Sequence, residues 1–537
     1  MISRFFLFLL LLVFMFACSS KYDLKSKGNN NKKNNLVVFK VALGAEPTSI
    51  DPQFNKDTVG TQIINEMFVG IVRTDPQTSG YKPGLAKSWN VSSDGKVYTF
   101  NLRDNLVWSD GVPITAEGIK KSYLRVLNRD SHAPYADEVR DVIKNGQAYF
   151  EGKVSESELG IKAINDQTIE FVLESPKPYF LNLLIYRVFI PVPIHVIEQY
   201  GDKWINPENI VVSGAFKLKE RIPGSSITVE RNPRYYDVSN VEIDEITFFT
   251  TDNATTSYNM YQNGEIDFMF NQTIPVDLIK DVKLRDDYYE GPFNALYYYP
   301  FNVTVKPLDD VRIRKALTLA IDRKTITEQV IANGAIPTRT ATPNYEHYTY
   351  DKDLLLFDPK YARELLAEAG YLNGSNFPKL KLLYNTNSLH KKVAEFIQNG
   401  WKSILNIDVV LENQEWGTYL SNRHSGNFHI ARAGWVGPYG DPTSILFIFT
   451  SSKSYISSYK YSNEEYDRLF VESDFERDSI KRQDILRKAE EIIVEKDFPI
   501  APIYIQSANY MFRNDKWTGW QPNLLENYEL SLIKLVK

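Results

Sequence analysis

Phe428-His429-Ile430-Ala431-Arg432-Ala433-Gly434-Trp435, with Pro438-Tyr439-Gly440-Asp441-Pro442-Thr443-Ser444 close behind, reads as a short strand that ends in a Gly/Pro-rich turn. An extended peptide carries an unpaired N–H and C=O at every residue, and a strand edge satisfies them without regard to side chains. Ala433 and Gly434 let a second backbone approach closely, and Trp435 supplies a wall. The plainer reading of the same residues is an ordinary buried strand with a Gly bulge.

Around this stretch lie 537 residues, too many for one compact core, so two or three domains are expected. The formal charge is −5 with no long basic run in the body, which argues against nucleic acid as a partner. Arg4 precedes an unbroken apolar run from Phe5 to Ala17. As a helix that run rises about 20 Å, short of the roughly 30 Å hydrocarbon core, and it fits a signal peptide over residues 1–17. Cys18 follows Ala17 and is the single cysteine. Its placement resembles a bacterial lipoprotein cleavage site, although Met15 and Phe16 depart from the usual pattern. Lipidation there would consume the thiol and leave no disulfide. Residues 18–36, with Asn29-Asn30-Asn31-Lys32-Lys33-Asn34-Asn35, are too polar to bury a core and read as a tether.

In the body, Val37 to Leu43 reads as a strand and Ile63 to Val72 as a helix. Asp94-Gly95 marks a hairpin, Thr115 a helix N-cap, and Asp358-Pro359 a helix start that Gly370 can end. Gly84-Leu85-Ala86-Lys87-Ser88-Trp89 through Trp108-Ser109-Asp110-Gly111-Val112-Pro113 resembles the signature region of extracellular solute-binding proteins of the peptide/nickel class. Ser213-Gly214-Ala215-Phe216, Glu230-Arg231-Asn232-Pro233 and Asp309-Asp310-Val311-Arg312-Ile313-Arg314-Lys315-Ala316-Leu317 agree with it, as does the opening stretch, which resembles the peptide-docking strand of oligopeptide-binding proteins. The resemblance covers essentially residues 38–537.

It implies an α/β, periplasmic-binding-protein-like fold with two lobes and a hinge, in the three-domain variant (type II, cluster C). Domain I would be 37–69, 190–294 and 506–537, domain II 70–189, and domain III 295–505. Periplasmic binding proteins are themselves a standard example of hinge closure around a ligand.

No G-x-S-x-G elbow, H-E-x-x-H, Walker loop or G-x-G-x-x-G occurs, and none of the six His stands at i, i+4 with another. Neither an enzyme nor a bound cofactor is implied. His424 and His429 fall on what reads as a turn-strand segment.

For the ligand's carboxylate the resemblance implies Arg423, His390 and Arg432; for its backbone Ala433, Gly434 and Trp435. Tyr439, Trp416, Tyr135, Asn271 and Tyr504 match further cavity positions, and Thr58 alone is drawn from the loop Asn55-Lys56-Asp57-Thr58, which keeps no recognisable family pattern. Each has a simpler alternative as a core or surface residue. Where the family carries an aspartate for the ligand's amino group, this chain has Pro438, which offers neither charge nor N–H. Asp441 is either a substitute anchor or only a cap for the following turn. Without any carboxylate in the cavity, weak discrimination against blocked peptides is expected.

The expectation is thus a monomeric receptor, lipid-anchored to the bacterial cell membrane and facing the periplasm or the outside. It would capture oligopeptides and deliver them to the transmembrane subunits of an ABC permease. The alternatives are a receptor of the same fold for dipeptides, a nickel complex or haem, and an adhesin or chaperone-like protein that reuses the fold.

Overall fold

The computed structural model describes residues 36–77, 80–271, 273–345, 348–350, 354, 357–452 and 460–537. Cys18, the apolar run before it and the tether up to Asn35 lie outside the described residues. Among the described residues no helix is long and apolar enough to cross a membrane.

Two long strands carry the architecture, Tyr288–Pro300 and Ile500–Phe512, paired antiparallel from Tyr288 opposite Met511 to Pro300 opposite Ile500. They sit inside a nine-stranded sheet. On one side of the pair lie Phe268–Met269, Val38–Ala42, Glu245–Phe249, Ser226–Arg231 and Phe216–Ile222. On the other side lies the terminal strand Ala433–Val436, joined antiparallel to Ala295–Tyr298, and the short ninth strand Ile336–Pro337 pairs with Tyr504 and Ile505.

The period of two along a strand explains why this region buries both faces. Tyr297, Tyr299 and Phe301 enter one core with Val311–Leu319 and Ser388–Leu405. Leu296 and Tyr298 enter another with Glu464–Phe475 and Ser479–Glu491. A third core spans residues from Phe39 to Phe270 and from Ala508 to Ile533. A four-stranded antiparallel sheet, Ala86–Val91, Val97–Leu102, Thr168–Val172 and Ile161–Asn165, packs within that third core. A three-stranded parallel sheet holds Val409–Gln414, Leu380–Asn385 and Ile430–Ala431.

Local signals behaved as their chemistry requires. Gly95 takes φ +71° in the hairpin turn. The Thr115 side chain accepts from the Gly118 N–H at 3.1 Å, and Asp358 accepts from the Tyr361 N–H at 3.0 Å with Pro359 in the first turn.

Three expectations need correction. The helix expected over Ile63 to Val72 runs from Thr58 to Met67, started by Asp57, which accepts from Gly60 N–H at 2.6 Å. Phe68, Ile71 and Val72 are buried by tertiary packing, and their apolar spacing imitates a continuing helix. His424 lies in the helix Trp416–Ser425. The single strand expected across residues 428–435 is two: Ile430–Ala431 joins the parallel sheet and Ala433–Val436 the large one, with Arg432 between.

Candidate functional site

Ala433–Val436 is the last strand of its sheet, and among the described residues no strand pairs with its outer edge. The Gly437 N–H donates to the Asn294 carbonyl at 2.7 Å, on the inner side. By the alternation of an antiparallel pair, residues 433, 435 and 437 bond inward, and the N–H and C=O of Gly434 and Val436 face out. A methyl added at Gly434 would lie 3.5 Å from an Arg432 guanidinium nitrogen and 3.6 Å from the Leu296 carbonyl, ordinary contacts. The protein's own packing therefore does not demand glycine at 434. It does at 437, where the same methyl would come within 2.4 Å of Asn294 Nδ2.

At the N-terminal end of this strand the structure gathers cations and aromatic rings. Arg432 places its guanidinium 4.9 Å from the Tyr297 ring centroid, and its Nη1 donates to Asn385 Oδ1 at 3.4 Å. Tyr504 stacks on Tyr297 at 4.5 Å. The Tyr297 hydroxyl meets His390 Nδ1 at 3.3 Å. Burial, reinforced by the charge of Arg432, pushes His390 well below the ordinary imidazole range, so it is neutral at physiological pH. Tyr419 links this group to the next: its hydroxyl donates to the Arg432 carbonyl, Arg423 lies 5.9 Å from its ring, and Trp416 stacks on it at 5.6 Å. Arg423 is buried and Trp416 is half exposed, more a rim than a wall. Among the described residues no carboxylate forms an ion pair with Arg432.

The other end is arranged differently. Asn294 organises the turn after the strand, its amide donating to the carbonyls of Gly437 at 3.0 Å and Tyr439 at 2.9 Å, on either side of Pro438. Asp441, weighed as a substitute anchor, has its charge engaged elsewhere. Arg482 donates to both oxygens at 2.8 and 2.9 Å, and Thr443 adds its N–H at 3.0 Å and its hydroxyl at 2.6 Å. Burial opposes the charge, but Arg482 holds the carboxyl below its usual range. The turn-capping alternative matches this geometry. Tyr439 is buried and stacks on Tyr179 at 5.4 Å.

The remaining nominated residues fall on other elements. Thr58 opens the helix Thr58–Met67. Tyr135 lies under the Arg187 guanidinium at 4.8 Å, whose Nε donates to the Asn55 carbonyl at 3.0 Å, in the loop before Thr58. Asn271 follows the strand Phe268–Met269 and its side-chain oxygen accepts from the Asn509 N–H at 3.3 Å.

Sequence reasoning missed Arg482, Asn294, Tyr297 and a cross-contact in which Lys177 pairs with buried Asp474 while the Tyr179 hydroxyl donates to it at 3.1 Å. The partners lie 41 to 297 positions apart, and no local pattern marks them. Among the described residues no group of three or more His, Cys, Asp and Glu is placed to hold a metal ion.

Comparison with known proteins fits this geometry. Residues 80–456 match the model of bacterial extracellular solute-binding proteins, family 5 Middle. The chain belongs to this family. A family-5 relative, the periplasmic oligopeptide-binding protein of Salmonella typhimurium, is 36% identical over 475 residues, 86% of each chain. The solved structure of a periplasmic oligopeptide-binding protein from Borrelia burgdorferi superposes with a TM-score of 0.88 at 55% identity, covering 93% of this chain and 100% of that one. The oligopeptide-binding protein of Haemophilus influenzae, in complex with the peptide RPPGFSPFR, gives 0.84 at 33% identity, covering 94% and 100%. The expected α/β periplasmic-binding-protein fold is borne out.

Proposed function

We propose that this protein is an extracytoplasmic receptor that captures short oligopeptides between two lobes and delivers them to an ABC importer. The observation that carries the reading is the edge of Ala433–Val436, which pairs with no strand among the described residues, with Arg432 at its end and no carboxylate among them ion-paired to it. The outward groups of Gly434 and Val436 are about 7 Å apart, the repeat between like-facing groups of an extended chain. A tripeptide is then the shortest ligand to use both, which favours oligopeptides over dipeptides. The relatives' oligopeptide binding supports the same choice.

In this reading Arg432, Arg423 and His390 receive carboxyl ends at different depths, so ligands of several lengths are held. A guanidinium grips a carboxylate with two parallel bonds, and neutral His390 acts as a donor. Tyr504, Trp416, Tyr135, Asn271, Tyr439 and Thr58 line or rim the cavity. Domain I comprises 37–69, 190–294 and 506–537, domain II 70–189 and domain III 295–505, with closure bending the two long strands that join them. The receptor is monomeric, tethered through lipidated Cys18, and presents its closed lobes to the permease.

Calorimetry tests the reading. After denaturation and refolding to strip resident ligand, a protein starting after Asn35 should bind tetra-alanine. It should bind the C-amidated form at least tenfold more weakly, and dialanine more weakly still. Absence of tetra-alanine binding, or equal binding of all three, would overturn it.

A further inference from the structure

Because Pro438 offers no acid, a ligand's amino group calls for another carboxylate. Asp441 is neutralised by Arg482 and Asp474 by Lys177. Glu526 is different. Among the described residues no Lys, Arg or His pairs with it, and its hydrogen-bond partners are neutral. The Tyr510 hydroxyl donates to its Oε1 at 2.9 Å, and the Asn271 side chain is bonded to the same carboxylate. Taking the group out of bulk water pushes its carboxyl up to about 7. The residue stays partly accessible, and its backbone adopts φ +50°, a conformation L side chains rarely adopt.

Its surroundings come from three separate segments of the chain. Asn271 is one of the positions nominated for ligand contact. Gln62 stands four residues after Thr58, one turn on along the same helix face, and its amide donates to the Glu526 carbonyl at 2.8 Å. The Leu524 carbonyl accepts from the Asn294 N–H at 2.9 Å, and the side chain of this same Asn294 holds the carbonyls on both sides of Pro438. From Leu524 to Glu526 is at most about 7 Å of chain. One asparagine thus ties the turn that lacks the acid to the segment that supplies one.

We infer that Glu526 carries the negative charge that receives the ligand's amino group, in place of the acid absent at Pro438. The inference rests on the peptide-receptor reading above. Tyr510 and Asn271 orient the carboxylate, and the ammonium supplies the cation that the described residues do not. Amine recognition has moved from the turn after the edge strand to the C-terminal segment.

The test is calorimetric titration of tetra-alanine and N-acetyl-tetra-alanine into the wild-type chain, Glu526→Gln, and Glu526→Gln with Pro438→Asp. The wild type should prefer the free amine at least tenfold. Glu526→Gln should lose that preference, the ratio falling to about one, and Pro438→Asp in its background should restore part of it. A wild type that binds both peptides equally would overturn the inference and leave the receptor reading standing. So would a Glu526→Gln protein with the wild-type ratio. Should that variant not fold, the wild-type ratio together with that of Pro438→Asp alone decides: a Pro438→Asp protein that shows a preference the wild type lacks overturns it. No binding of either peptide by the wild type would overturn the receptor reading, and this assignment with it.

Discussion

The two ends of the strand Ala433–Val436 hold their charges by opposite rules. At one end Arg432 lies against rings and a neutral amide, with no carboxylate ion-paired to it among the described residues. At the other end Asp441 is gripped by Arg482 through both oxygens. A buried charge paired inside the protein is part of the framework, because removing its partner costs about 3–5 kcal/mol. A charge left without a counter-ion is costly to keep and is relieved when a ligand brings the opposite sign. The contrast separates ligand-facing groups from structural ones better than residue type does.

The largest expected effect comes from breaking the basic end. Arg432→Met removes a charge-assisted contact of about 1.5–3 kcal/mol, so affinity for a free tetrapeptide should fall up to about a hundredfold. The advantage of the free acid over the C-amide should shrink with it. A variant that keeps the full free-acid advantage would show that the carboxylate sits elsewhere. At the paired end, Lys177→Met tests a contact that joins Lys177 and Tyr179 to Asp474, 297 positions beyond Lys177 in the chain. Burial already raises the Asp474 carboxyl, so protonation offers it an escape from losing Lys177. In the proposed reading this contact biases closure and touches no ligand group, so the expected loss is about tenfold and equal for free, acetylated and amidated ligands. A loss confined to one ligand would make Lys177 a ligand residue.

How much of this was legible beforehand follows the range of the interactions. Thr115, Asp358 and Gly95 could be read from the sequence because a cap or a turn is settled within four residues. The stretch around Gly434 was legible as strand and turn. Its division between two sheets was not, since that depends on Leu382 and Ala295, which lie far away in the chain. The cations of the site were visible through resemblance, whereas the engagement of Asp441 depends on Arg482, 41 positions on. Glu526 lies in a stretch of mixed polar and apolar residues, and only the fold shows that Tyr510 and Asn271 surround it while no cation does among the described residues.

Between the two ends, Val436→Pro sharpens the claim that backbone pairing is blind to termini. The Val436 N–H faces the open edge, so proline there deletes a ligand bond without cutting the pairing to Ala295–Tyr298. One hydrogen bond contributes about 0.5–1.5 kcal/mol, so affinity should fall up to about tenfold, by the same factor for every tetrapeptide. An unchanged affinity would place the ligand away from this edge.

The smallest effect is a pH dependence at the amine end. With its carboxyl pushed up to about 7, Glu526 is mostly protonated at pH 6 in the empty receptor. An ammonium ligand selects the ionised form, so binding releases a proton below pH 7 and affinity rises with pH in that window. The groups facing Glu526 do not obscure this, because burial holds the Tyr510 and Tyr528 hydroxyls well above their ordinary range and Asn271 does not titrate. At the basic end His390, held well below its usual range, is already neutral at pH 6. The preference for free over acetylated tetra-alanine should therefore grow about fivefold from pH 6 to 7. It should level off above 7, then decline as the peptide's own amine, of pKa about 7.7–8.0, loses its proton. Glu526→Gln should flatten the rise. A rise that survives in this variant would assign the titration, and the amine, to another group.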